Sequence, residues 1–276
     1  MRFDLRTIDG TKKFLIDWLG VDENILMNYV ICNCNEIDVN DFCEVHGINL
    51  NEVETDHLTY VASHVTTCTD ELESIKKHGL MNLQLALTLS TPLNIYLRSH
   101  GIEFDIGNQI MRVGSESYDV SYNSDSYNGF LDSESFKSKL KDIGHKLFYD
   151  NQISAFLAME GDKEYGGYVH QRPEFLFNVS KVSKRNLEYD WTKKSKAFVL
   201  EYEEKFENFE WFTFYENEDE YHDDYFRNEH KKWLISKSLY RLWNDFFYND
   251  VKEEYAYMKS SYVIPWKNII NIREIV

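Results

Sequence analysis

His57–Leu80 reads HLTYVASHVTTCTDELESIKKHGL, and two periodicities meet in it. His57 to Val65 alternates and is rich in β-branched residues, the pattern of a strand. Thr69 or Asp70 then offers an N-cap, and Leu72, Ile75 and Lys76 fall on one face of a short helix. Gly79 supplies the left-handed turn that ends it, and Leu80 returns to the core. Leu83 to Leu89 spaces its apolar residues as a second short helix. Thr91-Pro92 opens a third through Ile95, Tyr96 and Leu97, and Gly101 ends it. A strand feeding directly into short helices points to an α+β fold.

Upstream, the chain is helical. Phe14, Leu15 and Trp18 have helical spacing with Gly20 as a stop, and Asp22 or Asn24 opens a second helix through Ile25, Leu26, Tyr29 and Val30. Asp38 caps a third, with Phe42 and Val45 on one face and Gly47 beyond its end. Residues 1–50 are therefore expected to be a small helical subdomain, with a second domain over 51–276. Downstream, Gly114 to Gly129 is rich in Ser, Asn, Asp and Tyr and reads as a long loop or lid. Helix is expected near Ser133 to Asp142 and in Gln152 to Met159. Tyr168 to Val179 and Ala197 to Tyr202 read as strands, and Glu229 to Phe247 as a long helix. Ser261–Ile264 and Ile269–Ile275 read as short closing strands around Pro265. No internal repeat is present.

The composition is that of a folded protein, with 43% hydrophobic and 28% charged residues, 16% aromatic, and three Pro in 276 residues. The formal charge of −17 repels a phosphate backbone, which disfavours nucleic acid as a partner. The charge is uneven. Residues 201–224 hold eleven Asp or Glu against one Lys and read as an acidic insertion, whereas residues 181–196 hold six Lys or Arg against two acids. No run approaches the roughly 20 apolar residues that span a bilayer, and Met1 to Leu15 lacks the apolar core of a signal peptide. A cytoplasmic protein with no membrane partner is expected. Cys32, Cys34, Cys43 and Cys68 are too few for a disulfide scaffold. With His46, three of them make a four-ligand list for zinc, but the Cys-x-Cys spacing is not that of a zinc knuckle. Reduced core thiols and no metal are the expectation. Neither a phosphate loop nor a dinucleotide Gly-x-Gly-x-x-Gly occurs, since Gly161 and Gly166-Gly167 fit neither spacing.

A second segment, His170-Gln171-Arg172-Pro173-Glu174-Phe175-Leu176, lies about a hundred residues beyond the first. The order His64-Val65-Thr66, amphipathic helix, Gly79-Leu80, and later a single Glu174 resembles the ADP-ribosyltransferase-like fold family, in its bacterial toxin and phage-defence forms. Tyr262 to Ile269 is similar to that family's closing strand. The resemblance implies a split β-sheet core and NAD as substrate. His64 would bond ribose hydroxyls, Thr66 would lie near the adenosine end, Gly79 would turn the chain beneath the nucleotide, and Glu174 would bond the nicotinamide ribose. Tyr96 would stack on nicotinamide, with Tyr118 and Tyr122 as rivals. Breaking the nicotinamide–ribose bond gives an oxocarbenium-like ribose that a carboxylate stabilises, so Glu174 and His64 are the expected catalytic residues.

Two features depart from the family pattern. His57-Leu58-Thr59 repeats the His-x-Thr motif seven residues before His64, and on one continuous strand the two His would face opposite ways. Arg172 stands where arginine-modifying members carry Glu or Gln, which disfavours arginine as acceptor and suits a pyrophosphate clamp. The expected activity is transfer of ADP-ribose to a macromolecule, a protein rather than a nucleic acid, with an inhibitor or trigger protein as a further expected partner. NAD hydrolysis to water and a catalytically inactive binding module stay open as alternatives.

Overall fold

The structure, a computed structural model, describes residues 1–33, 37–122, 135–159, 168–222 and 227–275. In chain order its first half holds β1 (Arg2–Phe3), α1 (Ile8–Leu19), α2 (Glu23–Cys32), α3 (Val39–Val45), β2 (Thr59–Cys68), α4 (Glu73–His78), α5 (Leu83–Thr88), α6 (Pro92–Ser99), β3 (Ile102–Asp105), β4 (Ile110–Val113) and β5 (Glu116–Asp119). The second half holds α7 (Phe136–Phe148), β6 (Ser154–Ala158), α8 (Phe175–Ser183), α9 (Leu187–Thr192), β7 (Lys196–Lys205), α10 (Glu218–His222), α11 (Arg227–Tyr248), β8 (Glu254–Tyr257) and β9 (Ile269–Ile275). One sheet has the order β8-β6-β2-β7-β9 with β1 parallel to β2, and a small second sheet is the meander β3-β4-β5. β6 runs antiparallel to both β2 and β8. The fold is α+β.

Two compact units divide the chain. Met1–His64, Ser154–Gly161 and Glu201–Lys259 make the first, and Val65–Ile153, Asp162–Leu200 and Ser260–Val276 the second. The boundaries fall inside β2 and β7, so the chain passes from one unit to the other in mid-strand.

In the first unit, the short helices start where side chains accept their unpaired N–H groups. Asp22 accepts from Asn24 and Ile25 at 2.9 and 3.3 Å, and Asp38 from Asn40 and Asp41 at 2.7 and 3.2 Å. Phe3 is fully buried and meets Phe14, Tyr60 and Trp233 at ring separations of 5.0, 5.6 and 5.8 Å. The three helices expected within residues 1–50 are therefore present, and their apolar faces belong to a unit that also contains α11, β6 and β8.

The second unit is built around Tyr96, Leu97, Ile102, Met111, Ile143, Leu147, Phe175, Leu176, Val179 and Trp191. Apolar residues at Phe175, Leu176, Val179 and Val182 keep helical spacing, and all four are buried in α8. That period overrides the aromatic and β-branched content by which Tyr168 to Val179 reads as a strand. Pro173 sits just before the helix, and its carbonyl accepts the Leu176 N–H at 3.0 Å.

The structure bears on four further expectations. Gln152 to Met159 contains the strand β6, with Ala155 and Leu157 buried on one face. The described half of the expected lid forms β5, which pairs with β4 across a two-residue turn at Gly114-Ser115; the positive φ of Gly114, 60°, is what such a hairpin turn demands. The rest of that segment, and the glycines at 161 and 166–167, lie outside the described residues. Within the acidic stretch, residues 201–205 continue β7. Glu201 pairs with Arg6, Glu203 with Arg2 at 2.6 Å, and buried Glu204 accepts from Asn208 at 2.8 Å. Opposite charge at Glu201 and Glu203, and an amide donor at Glu204, let these acidic residues occupy a sheet strand. Ser261–Ile264 is also not a strand; Ile264 makes a single bridge to Leu80.

Candidate functional site

Glu174 directly precedes α8, on a helix end and not on the expected strand. Its carboxylate makes no capping bond to the helix and reaches Lys146 on α7 at 2.9 Å. Lys146 also holds Asp150 at 2.6 Å. Burial favours the neutral amine of Lys146, but the hydrogen bonds to Asp150 and Glu174 outweigh it and keep its pKa above the usual lysine value. Glu174 is thereby oriented by a permanent cation.

Arg172, two residues earlier, is 8% exposed and donates Nε to Glu188 of α9 at 2.5 Å. Its guanidinium lies 5.8 Å from the Phe177 ring centroid, with the Lys139 ammonium 4.9 Å from the same ring. Arg172, Glu174, Lys139, Lys146, His145 and Tyr168 line one cavity of about 440 Å³ in the second unit. Arg172 and Glu174, singled out together in the sequence, are thus brought together in one cavity.

Tyr168 and Lys146 were not singled out by the sequence. Tyr168 is 62% exposed and has a φ of 57°, a conformation that a bulky residue rarely adopts. Its carbonyl accepts the N–H groups of Gln171 and Arg172 at 2.9 and 3.3 Å, which fixes the turn ahead of Glu174. The Lys146 to Glu174 distance along the chain hides their pairing, and no local motif could have flagged it.

The expected stacking residue, Tyr96, is a buried residue of the second unit. It is 9% exposed, its hydroxyl donates to the Leu187 carbonyl at 2.7 Å, and its ring packs edge-on against Trp191 at 5.1 Å. Burial pushes the phenol up to about 12. A ring enclosed in this way offers no face to a ligand. Of its rivals, Tyr118 bonds Glu116 on its own strand, and Tyr122 packs against His145 at 5.0 Å.

Gly79 has a φ of 84°, and a Cβ there would stand 2.6 Å from Val263 Cγ1 and 2.7 Å from the Ile264 carbonyl oxygen. The structure thus gives Gly79 a packing reason independent of any nucleotide. Thr66 is half-buried on β2, and its neighbour Thr67 accepts the Trp191 indole N–H at 2.9 Å.

His64 is in the first unit. Its Nδ1 bonds the Ser154 carbonyl at 2.7 Å, so Nδ1 carries the proton and Nε2 is the acceptor, and burial holds the imidazole below its usual pKa. His57 lies before β2 in an exposed turn near Glu54, at 3.7 Å, which leaves His64 as the strand-borne histidine.

Among the described residues, no group of three or more His, Cys, Asp or Glu is gathered to hold a metal ion, and no helix is long and apolar enough to cross a membrane. Of the thiols, Cys43 and Cys68 are buried and Cys32 exposed; Cys34 lies outside the described residues. Comparison with known proteins finds no match of the chain to a protein-family model, to a curated protein or to a solved structure.

Proposed function

We propose that this chain is an NAD-dependent ADP-ribosyltransferase with the ADP-ribosyltransferase-like fold, and that the cavity beside Glu174 takes the nicotinamide–ribose half of NAD and the adjoining phosphates. The observation that carries the reading is that one cavity is lined by two carboxylates, an exposed aromatic face and three cations: Glu174 and Asp142, Tyr168, and Lys139, Lys146 and Arg172. The substrate has a matching set of features. A positively charged nicotinamide ring suits the Tyr168 face, a pyrophosphate suits Arg and Lys, and a developing oxocarbenium suits a carboxylate.

In the reaction the C1′–N bond of the nicotinamide ribose breaks, and nicotinamide leaves as a neutral base with the bonding electron pair. Glu174 stabilises the positive charge left on the ribose, and Lys146 keeps that carboxylate oriented. The acceptor's nucleophilic atom then bonds C1′ and loses its proton. A cytoplasmic effector of toxin or defence type, modifying a protein, is the setting this activity fits.

The test uses NAD labelled on the adenine side, incubated with the purified protein with and without cell lysate, while free nicotinamide and label on macromolecules are followed. Glu174→Gln is expected to lower turnover by about two orders of magnitude or more while still binding NAD. Nicotinamide released without a labelled acceptor would assign water as the acceptor. Absence of turnover in every condition, or an undiminished Glu174→Gln, would sink the reading.

A further inference from the structure

The first unit has a cavity of its own, of about 300 Å³, lined by α11, β8 and the chain beside them. Its charges are unequally paired. Lys237 is neutralised by Glu254 at 2.6 Å. Arg241 is 7% exposed, yet its Nε donates to the neutral Leu5 carbonyl at 3.1 Å, and its nearest carboxylate, Asp245 on the same helix, stands 3.4 Å from Nη1. Lys252 is exposed on the rim and makes no ion pair among the described residues. In a chain carrying a formal −17, this cavity therefore presents an excess of positive charge, and a buried guanidinium so weakly compensated favours an anion beside it.

The lining is also aromatic. Tyr240 and Trp243 both line the cavity, and the buried indole N–H of Trp243 has no hydrogen-bond acceptor among the described residues, a costly state for a buried donor. Arg241, whose ion pair with Asp245 is a single 3.4 Å contact, and Lys252, which has none among the described residues, together match a phosphate dianion better than a single carboxylate, and the guanidinium fork recognises phosphate oxygens in pairs. A cavity at the small end of the range for ligand sites suits a small molecule of about mononucleotide size. We propose that this cavity binds a phosphorylated small molecule, with its phosphate on Arg241 and Lys252 and its planar part along Tyr240 and Trp243. The site is separate from the cavity beside Glu174 and does not depend on the reading given to it.

The experiment titrates AMP and inorganic phosphate into the full-length protein, followed by calorimetry and by tryptophan fluorescence. AMP is expected to bind saturably and more tightly than inorganic phosphate, with affinity falling roughly tenfold in Arg241→Lys and in Lys252→Glu. Because Arg241 also ties α11 to Leu5, the exposed Lys252→Glu keeps the result independent of folding. Trp243→Phe is expected to abolish the fluorescence change. Absence of saturable AMP binding in the wild type, or AMP binding that weakens on changing Lys146 but not Arg241 or Lys252, would overturn the proposal.

Discussion

At the scale of single residues, what is required of a side chain often comes from far along the chain. Gly79 ends α4 with φ 84° and ψ 168°, a region open to glycine alone, while Leu80 and Ile264 exchange two backbone hydrogen bonds at 2.9 Å. Gly79→Ala is expected to destabilise the protein by about 1–3 kcal/mol from the backbone alone, with the clash on Ile264 adding to it. An unchanged midpoint in urea denaturation would refute this. The sequence reveals the turn at Gly79, because a glycine closing an amphipathic helix is a local signal; the pressure from Ile264 is not local and could not be read. His230 shows the same contrast. Its Nε2 lies 3.1 Å from the Tyr60 hydroxyl, and burial pushes its pKa down to about 3. Between pH 6.5 and about 3 the unfolded chain binds a proton that the folded chain refuses. The stability from a neutral His230 is therefore complete above pH 6.5 and is lost as pH falls, at up to about 1.4 kcal/mol per pH unit. His230→Gln is expected to flatten this part of the pH–stability curve, as followed by urea denaturation at a series of pH values; an unaltered slope would exclude His230 as its source.

At the scale of elements, a side-chain cap made several helix starts legible. Asp22, Asp38 and Thr91 each mark a helix start in the sequence, and each accepts an N–H of its first turn. Asp38→Ala is expected to cost about 1 kcal/mol in chemical denaturation, and a change indistinguishable from zero would mean the bond is not formed in solution. α8 lacks such a signal, since Glu174 turns its carboxylate to Lys146 and leaves the helix end uncapped. Only the spacing of Phe175, Leu176, Val179 and Val182 distinguished helix from strand, against side chains that favour strands. The same geometry separates stability from activity at Glu174. The ion pair with Lys146 is partly solvated on both sides and contributes at most about 1 kcal/mol, so Glu174→Gln is expected to melt close to the wild type. Loss of turnover in that variant would then report on the site and not on folding.

At the scale of the whole molecule, the order of segments along the chain conceals how they associate. Residues 1–50 look separable because their helices are short, well capped and followed by a strand of different character. Yet Phe3, Leu5, Phe14, Leu15 and Leu26 are each at most 1% exposed, and their unit is completed by Ser154–Gly161 and Glu201–Lys259. The acidic stretch is likewise less separable than its composition suggests, because Arg2 and Arg6 at the start of the chain neutralise Glu203 and Glu201 in β7. Long-range pairing of this kind leaves no trace in composition or periodicity. Removing residues 1–50 would therefore strip these five side chains, and the equally buried Val30 and Phe42, from a core and leave two sheet carboxylates without their cations. Each large core side chain lost costs about 2–5 kcal/mol, and together they exceed the about 5–15 kcal/mol that holds a typical domain folded. The fragment 51–276 is expected to lack a cooperative thermal transition and to be cut rapidly by protease at low enzyme ratios. A soluble fragment with a sharp transition would show instead that residues 1–50 are the separable subdomain that their sequence suggests.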